Sequence, residues 1–321
     1  MIGKVPPADL EAYVLGRDGA PDDRVLQGPA YGEDTAAIRL DEGILVVNTD
    51  PISLAVDRVG TLGVAVASND IAASGASPAW LTVSLFLPTT GADVLDEITA
   101  QLHEAANRLG IAIVGGHSEY APHLDAPLLV LTCLGMTDRY VPTGGAQPGD
   151  VVLMTKAAGI EGTAILATDF ADRLTGVDPE ARAAATAFYD DVSVVPEATV
   201  LAPHVTAMHD PTEGGLLNGL VELAIASGVV LRVDGDAIPV RPPTADLCEA
   251  VRVDPLRIFG SGALLATAPE ASIHAIESSL DAEGIEYARL GTVEAGSEPA
   301  VYLDEHRYDT PIRDDMYALW E

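Results

Sequence analysis

Lysine is almost missing from this chain of 321 residues. Of 17 basic residues only Lys4 and Lys156 are lysines, and the rest are arginine. No basic patch exists to meet phosphodiester backbones, so nucleic acid is excluded as a partner class. Aromatic residues make up 5% while hydrophobic residues reach 48%, so a globular core must rest on Ala, Val, Leu and Ile. The two cysteines, Cys133 and Cys248, lie far apart with no CxxC spacing, which excludes a disulfide framework and a thiolate zinc site. Both sit among apolar residues and read as small buried hydrophobes in a reducing compartment. No apolar run approaches bilayer length; the longest, around Gly43–Val47 and Leu128–Leu134, are strand-sized. The N-terminal segment MIGKVPPADLEAY lacks a basic stretch followed by an apolar one, so no signal peptide is expected and the expected location is cytoplasmic.

What the chain has in excess is acid. Forty-nine Asp and Glu face those 17 cations, for a formal net charge of −32. Such a chain repels itself in dilute salt and becomes tolerable when the Debye length shrinks to roughly 3 Å near 1 M salt. The acid is spread along the whole chain, which points to a salt-saturated cytoplasm such as that of a halophilic archaeon. A docking patch for a basic partner is the alternative, and it would cluster the acid in one tail.

The order of elements alternates. Strands are expected at Gly43–Asn48, Trp80–Leu87, Ile111–Val114 and Leu128–Leu134, with helices at Thr61–Ser74 and Asp93–Leu109. The Pro- and Gly-rich stretch Val141–Asp150 marks a junction, dividing the chain into residues 1–145 and 146–321. Beyond it, strands are expected at Val151–Thr155, Val229–Val233, Ala263–Ala268 and Glu286–Val293. Helices are expected at Thr163–Thr168, Ala181–Phe188, Gly214–Ser227 and Pro269–Glu283. Mixed elements in both halves indicate an α/β or α+β architecture with helices packed on sheets.

Four aspartates stand where acid is costly. Asp34 lies in YGEDTAAI, Asp50 ends ILVVNTD, Asp70 interrupts the Ala/Val helix around Asn69, and Asp210 lies in MHDPTEGG. A carboxylate among apolar residues needs a partner. With so few cations in the chain, Mg²⁺ and its phosphate ligands are an economical one. Taken alone, Asp34 and Asp210 read first as cap or turn residues. The segment Ile113–Glu119, IVGGHSE, reads as a strand running into a Gly115–Gly116 turn that delivers His117, Ser118 and Glu119. His117 and Glu119 are then candidates for proton transfer or metal ligation, and a solvated hairpin tip is the alternative. Lys156, before the glycines of LMTKAAGIEGTA, is a candidate to neutralise a phosphate, or else a surviving surface lysine. Asp210, Thr212, Gly214 and Gly215 open a helix whose N-terminus suits an anion.

Together these pieces resemble the aminoimidazole-ribotide synthetase (PurM-like) superfamily, with HypE-like hydrogenase-maturation proteins and their archaeal paralogues as the nearest branch. The resemblance rests on GEDTAAI at Gly32–Ile38, NTD at Asn48–Asp50, NDIAASGASP at Asn69–Pro78, VGGHSE at Val114–Glu119, TKAAGIEGTA at Thr155–Ala164 and DPTEGG at Asp210–Gly215. It implies a two-domain fold: an ATP- and Mg²⁺-binding N-terminal domain contributing strands to a barrel in a homodimer, and a C-terminal α/β domain. It implies metal and phosphate binding by Asp34, Asp50 and Asp70, phosphate or nucleotide contacts from Lys156, Asp210, Thr212, Gly214, Gly215, Gly115 and Gly116, and substrate chemistry at His117 and Glu119. The chain ends PIRDDMYALWE, without the terminal cysteine on which the hydrogenase-maturation members act. The expectation is therefore an ATP-dependent enzyme acting on another small substrate. A catalytically silent nucleotide-binding scaffold, or a maturation factor working through protein partners, is the alternative.

Overall fold

Every second residue of Leu128–Thr137 is buried, the pattern of a strand with one face on a core. This strand, β6, lies inside the first of two sheets in the computed structural model, which describes residues 3–17, 19–88, 90 and 92–321. That sheet has the order β1-β2-β3-β6-β4-β5, from Val25–Gln27 (β1), Ala36–Leu40 (β2), Gly43–Ile52 (β3), Ser77–Leu87 (β4) and Ala112–Tyr120 (β5). Only β4 and β5 pair in parallel. A short helix α1 (Pro7–Tyr13) precedes the sheet, and α2 (Val59–Ala73) and α3 (Ala92–Arg108) connect its strands. Val46, Leu81, Leu85, Leu129 and Leu131 pack with Ile71 of α2 and Leu102 of α3 in one core.

The second sheet has the order β13-β12-β9-β11-β7-β10-β8. Its strands are Asp150–Thr155 (β7), Ala207–His209 (β8), Val230–Val233 (β9), Leu264–Pro269 (β10), Tyr287–Glu294 (β11), Ala300–Leu303 (β12) and His306–Tyr308 (β13). The helices of this half are α4 (Ile160–Thr168), α5 (Pro179–Thr186), α6 (Val195–Leu201), α7 (Gly215–Ser227), α8 (Pro242–Val251), α9 (Glu270–Glu283) and α10 (Tyr317–Trp320). All of β7 is buried because helices cover both faces: α7 on one side, α6 and α9 on the other. This is why VVLM reads as a continuous apolar run rather than an alternating one. Helix α2 is buried along its whole length, wedged between the first sheet and α6 of the second half. Asn69 fixes that wedge: its side chain donates to the carbonyl of Val192 at 2.9 Å and accepts from the amide of Val194 at 2.8 Å.

Two expectations are corrected here. IVGGHSE is not a strand followed by a turn, because β5 runs unbroken through Ala112–Tyr120. The pairing with β4 shifts at Val114, so one extra residue is accommodated as a bulge. Gly116, at φ 151°, lies so close to the Val83 carbonyl that a Cβ would collide with it, and this close approach explains the glycine. Helix α4 begins at Ile160, ahead of Thr163, because Gly159 adopts a left-handed φ of 70° and starts the turn there.

Candidate active site

Side chains two apart on a strand share a face. On β3 this places Asn48 and Asp50 together, against the buried flank of α2 that carries Asp70. The Asn48 amide nitrogen donates to Asp50 Oδ2 at 2.9 Å and to Asp70 Oδ2 at 2.7 Å. Its oxygen accepts from the Cys133 amide at 3.2 Å, which fixes the orientation of the side chain. Asp34 stands just before β2 and Asp210 just after β8. The neighbouring Glu33 points away from this group. It accepts from the amides of Thr143 and Gly144 at 3.2 and 2.9 Å, clasping the junction between the halves.

Asp34, Asp50 and Asp70 line one cavity of about 430 Å³, together with Lys4, Thr212, Glu213, Glu161 and the rings of Phe259, Tyr317 and Trp320. Burial raises the pKa of Asp70 well above the carboxylate range, and the charges of Asp50, Asp210 and Asp34 push it further. Asp210 is raised too, by burial and then by Asp34, and its Oδ2 is buried without a partner. Behind them lies His209, 3% exposed, with Nε2 at 3.0 Å from Glu222 and Nδ1 at 3.6 Å from Asp34. Burial would lower the His209 pKa, but Glu222 and the two aspartates hold it up at about 9. A proton on His209 would thus sit at the back of the acid cluster, held by Glu222 and facing Asp34.

Such a crowd of buried carboxylates fits a hard divalent cation. Among the described residues no three His, Cys, Asp or Glu side chains are close enough to hold a metal unaided. That geometry suits Mg²⁺, which usually takes one or two carboxylates and fills its octahedron with water and substrate phosphates.

The other expected site residues are distributed less uniformly. Thr212 lines the cavity and receives Lys4, whose ammonium lies 3.3 Å from Thr212 Oγ1 and 3.1 Å from Glu213. Lys4 is the cation that reading the sequence passed over; its charge in a lysine-poor chain was the available signal. Lys156 is elsewhere, beside a second cavity lined by Tyr189, Asp191, Ser193 and Glu197. It donates to the carbonyls of Asp191 at 2.8 Å and Ser193 at 2.6 Å and pairs with Glu197 at 3.0 Å, so its ammonium has no direction left for a phosphate. The expected anion site at α7 is likewise filled from within: the Gly214 amide donates to the buried Asp314 carboxylate at 2.8 Å. Gly215 takes φ 67° against the carbonyls of Leu256 and Ile258, a packing role. His117 and Glu119 face each other at 3.2 Å on β5, both largely exposed, and with Gly115 and Gly116 they lie outside the cavity wall.

Residues 32–137 match the family described as AIR synthase related protein, N-terminal domain, and residues 147–304 match its C-terminal domain. The chain belongs to the AIR synthase related family. It is 30% identical over 303 residues to the carbamoyl dehydratase HypE of Azotobacter vinelandii, covering 89% of this chain and 84% of that one. It is 32% identical over 262 residues to a selenide, water dikinase of Nitratidesulfovibrio vulgaris, covering 76% and 71%. Among solved structures, HypE in complex with ATP superposes with a TM-score of 0.72 at 25% identity, over 95% of this chain and 94% of that one. AaThiL with AMPPCP and TMP has a TM-score of 0.74 over 90% and 93%, and its 20% identity speaks to the fold alone. The likeness to HypE-type members of this superfamily, expected from the motifs, is borne out. Among the described residues no helix is long and apolar enough to cross a membrane.

Proposed function

We propose that this protein is an ATP-binding, Mg²⁺-dependent enzyme that activates a small substrate by phosphoryl transfer. The observation that carries the reading is the convergence of Asp34, Asp50 and Asp70, from three separate segments, on one cavity in a state of mutual repulsion that a cation would relieve. One or two of Asp34, Asp50 and Asp70 would hold Mg²⁺ directly, the others with Asp210 through its water, and the metal would carry the nucleotide phosphates. The metal would supply charge neutralisation on the transferring phosphoryl group. The protein's own share is positioning. Asn48 locks the two carboxylates it touches, and Lys4 brings an ammonium to the phosphate side. Similarity to HypE in complex with ATP and to a selenide, water dikinase supports ATP as the phosphoryl source.

The site belongs, in this reading, to a homodimer. Every residue of the edge strand β5 is exposed, with apolar surface from its own Ile113, Val114 and Tyr120 and from Trp80 on the neighbouring β4. An uncovered apolar edge invites a second copy, and only there would His117 and Glu119 meet a substrate. The same edge favours a second reading, a factor that works by docking another protein.

Turnover of ATP by purified protein, with and without Mg²⁺, tests the enzyme reading. The assay belongs in KCl of roughly 2–4 M, which screens the acid excess that we read as halophilic adaptation. Sedimentation in the same buffer is expected to give a dimer. Absence of both nucleotide binding and turnover would leave the docking-factor reading.

A further inference from the structure

The wall of the acidic cavity that comes from residues 146–321 is unlike the aspartate wall facing it. It carries Ile165, Phe259, Tyr317 and Trp320, with the Phe259 ring edge-on to Tyr317 and Trp320 at centroid distances of 5.9 and 6.0 Å. Into this apolar wall, apart from the aspartates, the fold sets two polar side chains. Glu161, on the first turn of α4, is 6% exposed. Ser261 is fully buried; its carbonyl accepts from the Glu161 amide at 3.1 Å, yet its Oγ makes no hydrogen bond of good geometry. Apart from contacts between these two residues, neither side chain has a hydrogen-bond partner among the described residues, and burying such groups is costly.

Resting on the nucleotide reading above, we propose that Glu161 and Ser261 form the acceptor subsite, which takes a small uncharged alcohol. The apolar body of the alcohol lies against Ile165, Phe259 and Trp320. Its hydroxyl reaches Ser261 and Glu161, and Glu161 is the general base. The acceptor oxygen forms the new bond to the γ-phosphorus of ATP. The bond from that phosphorus to the bridging oxygen breaks, its electron pair leaving with ADP, and the hydroxyl proton passes to the Glu161 carboxylate. An anionic acceptor is disfavoured because Glu161, Glu213 and the aspartates already crowd the cavity with negative charge.

The charged and titratable groups around Glu161 are Glu213, Asp314, Tyr189 and, across the cavity, Lys4, Asp34, Asp50 and Asp70. Burial pushes the Glu161 pKa up to about 7 and Glu213 adds to it, while the Ser261 hydroxyl and backbone hold it down. A base poised there is efficient near neutrality.

The test compares wild type with Glu161→Gln and Glu161→Asp, reading nucleotide affinity by calorimetry and ATP turnover, with water or benzyl alcohol as acceptor, against pH. We expect kcat of the wild type to rise through an acid limb near the pH at which Glu161 ionises. Glu161→Gln should lose that limb and about 10²–10⁴-fold in kcat, with nucleotide affinity within about twofold of wild type, and Glu161→Asp should restore the limb in part. In a Trp80→Phe background, where Trp320 is the one remaining tryptophan, its emission should report benzyl alcohol binding about tenfold or more tightly than benzoate, a difference of about 1.4 kcal/mol. An unchanged limb in Glu161→Gln, benzoate binding as well as the alcohol, or a loss of nucleotide affinity with kcat intact would each overturn the proposal; the last would place the adenine on this wall. A wild type that binds no nucleotide would refute the broader reading instead.

Discussion

Lys4 and Lys156 stand beside two different cavities of one molecule. Around Lys156 the cation is answered: two carbonyls and Glu197 Oε1 surround the ammonium, whose side chain is 10% exposed, while Glu197 Oε2 is buried without a partner. Burial lowers its pKa despite Glu197 and Asp191. Around Lys4 charge is left over. Its side chain is 47% exposed, it reaches Thr212 and Glu213, and the aspartates near it repel one another. A satisfied polar cluster is a structural device, whereas an unsatisfied one that opens on a cavity is prepared for something not yet present. The lysine beside the glycine-rich loop is the more conspicuous in sequence, and it is the one that holds the fold together.

This contrast can be broken by substitution. Lys156→Met leaves Glu197 buried and unpaired. It is expected to cost about 3–5 kcal/mol in stability by denaturant unfolding, with little change in nucleotide affinity once the protein is held folded. A large loss of affinity at unchanged stability would reverse the roles assigned to the two lysines. Asp70→Asn acts in the opposite sense. Mg²⁺-dependent ATP turnover should fall about 10²–10³-fold, while the melting temperature in the absence of metal holds or rises, because a repelling buried carboxylate has gone. Lys4→Ala removes one charge-assisted contact, worth about 1.5–3 kcal/mol or on the order of ten- to a hundredfold in nucleotide affinity. Stability should hardly move, and calorimetry beside a thermal melt separates the two readouts.

The smallest effect sharpens the comparison through pH. Asp70 and Asp210 have folded pKa values above their unfolded ones, so the native state binds the extra protons and stability falls as pH rises through the folded values. His209 adds in the same direction: its contribution is complete below its unfolded pKa and is lost as pH rises through about 9. In metal-free buffer at constant KCl, Tm should therefore decline from neutral pH towards pH of about 9, and Mg²⁺ should flatten the decline by taking over from the protons. A decline that Mg²⁺ leaves unchanged would remove the metal from the aspartates.

Much of the site was legible for a physical reason. Asp70 interrupts a helix of Ala and Val, and Asp50 ends an apolar strand; an acid in such a place declares its cost locally. The alternation of β4 and β6 and the amphipathic spacing of α3 were legible in the same way. Lys4 was not, because it belongs to a polar N-terminal segment whose place against Thr212 depends on a contact spanning 208 positions. Glu161 was hidden inside a glycine motif, where an acid on a first helical turn looks like an ordinary favourable helix start. His209 stood in view within HDPTEGG, but nothing in its neighbours told of Glu222 on the following helix.

By itself the sequence determined the family, the mixed α/β class, the strands and helices with clear periodicity, and three carboxylates destined for one place. The elements follow from local pattern, since the pleat and the helical turn impose periods that a chain shows without knowing its fold, while the family and the shared place of the carboxylates follow from the motifs that resemble it. Only the tertiary structure decided which cations meet those carboxylates. It sent Lys156 to Glu197 and Lys4 to the cavity, filled the N-terminus of α7 with Asp314, and left His117 and Glu119 on an open edge. Charge pairing is long-range in sequence and short-range in space, so partners separated by a hundred residues are chosen by packing rather than by spacing.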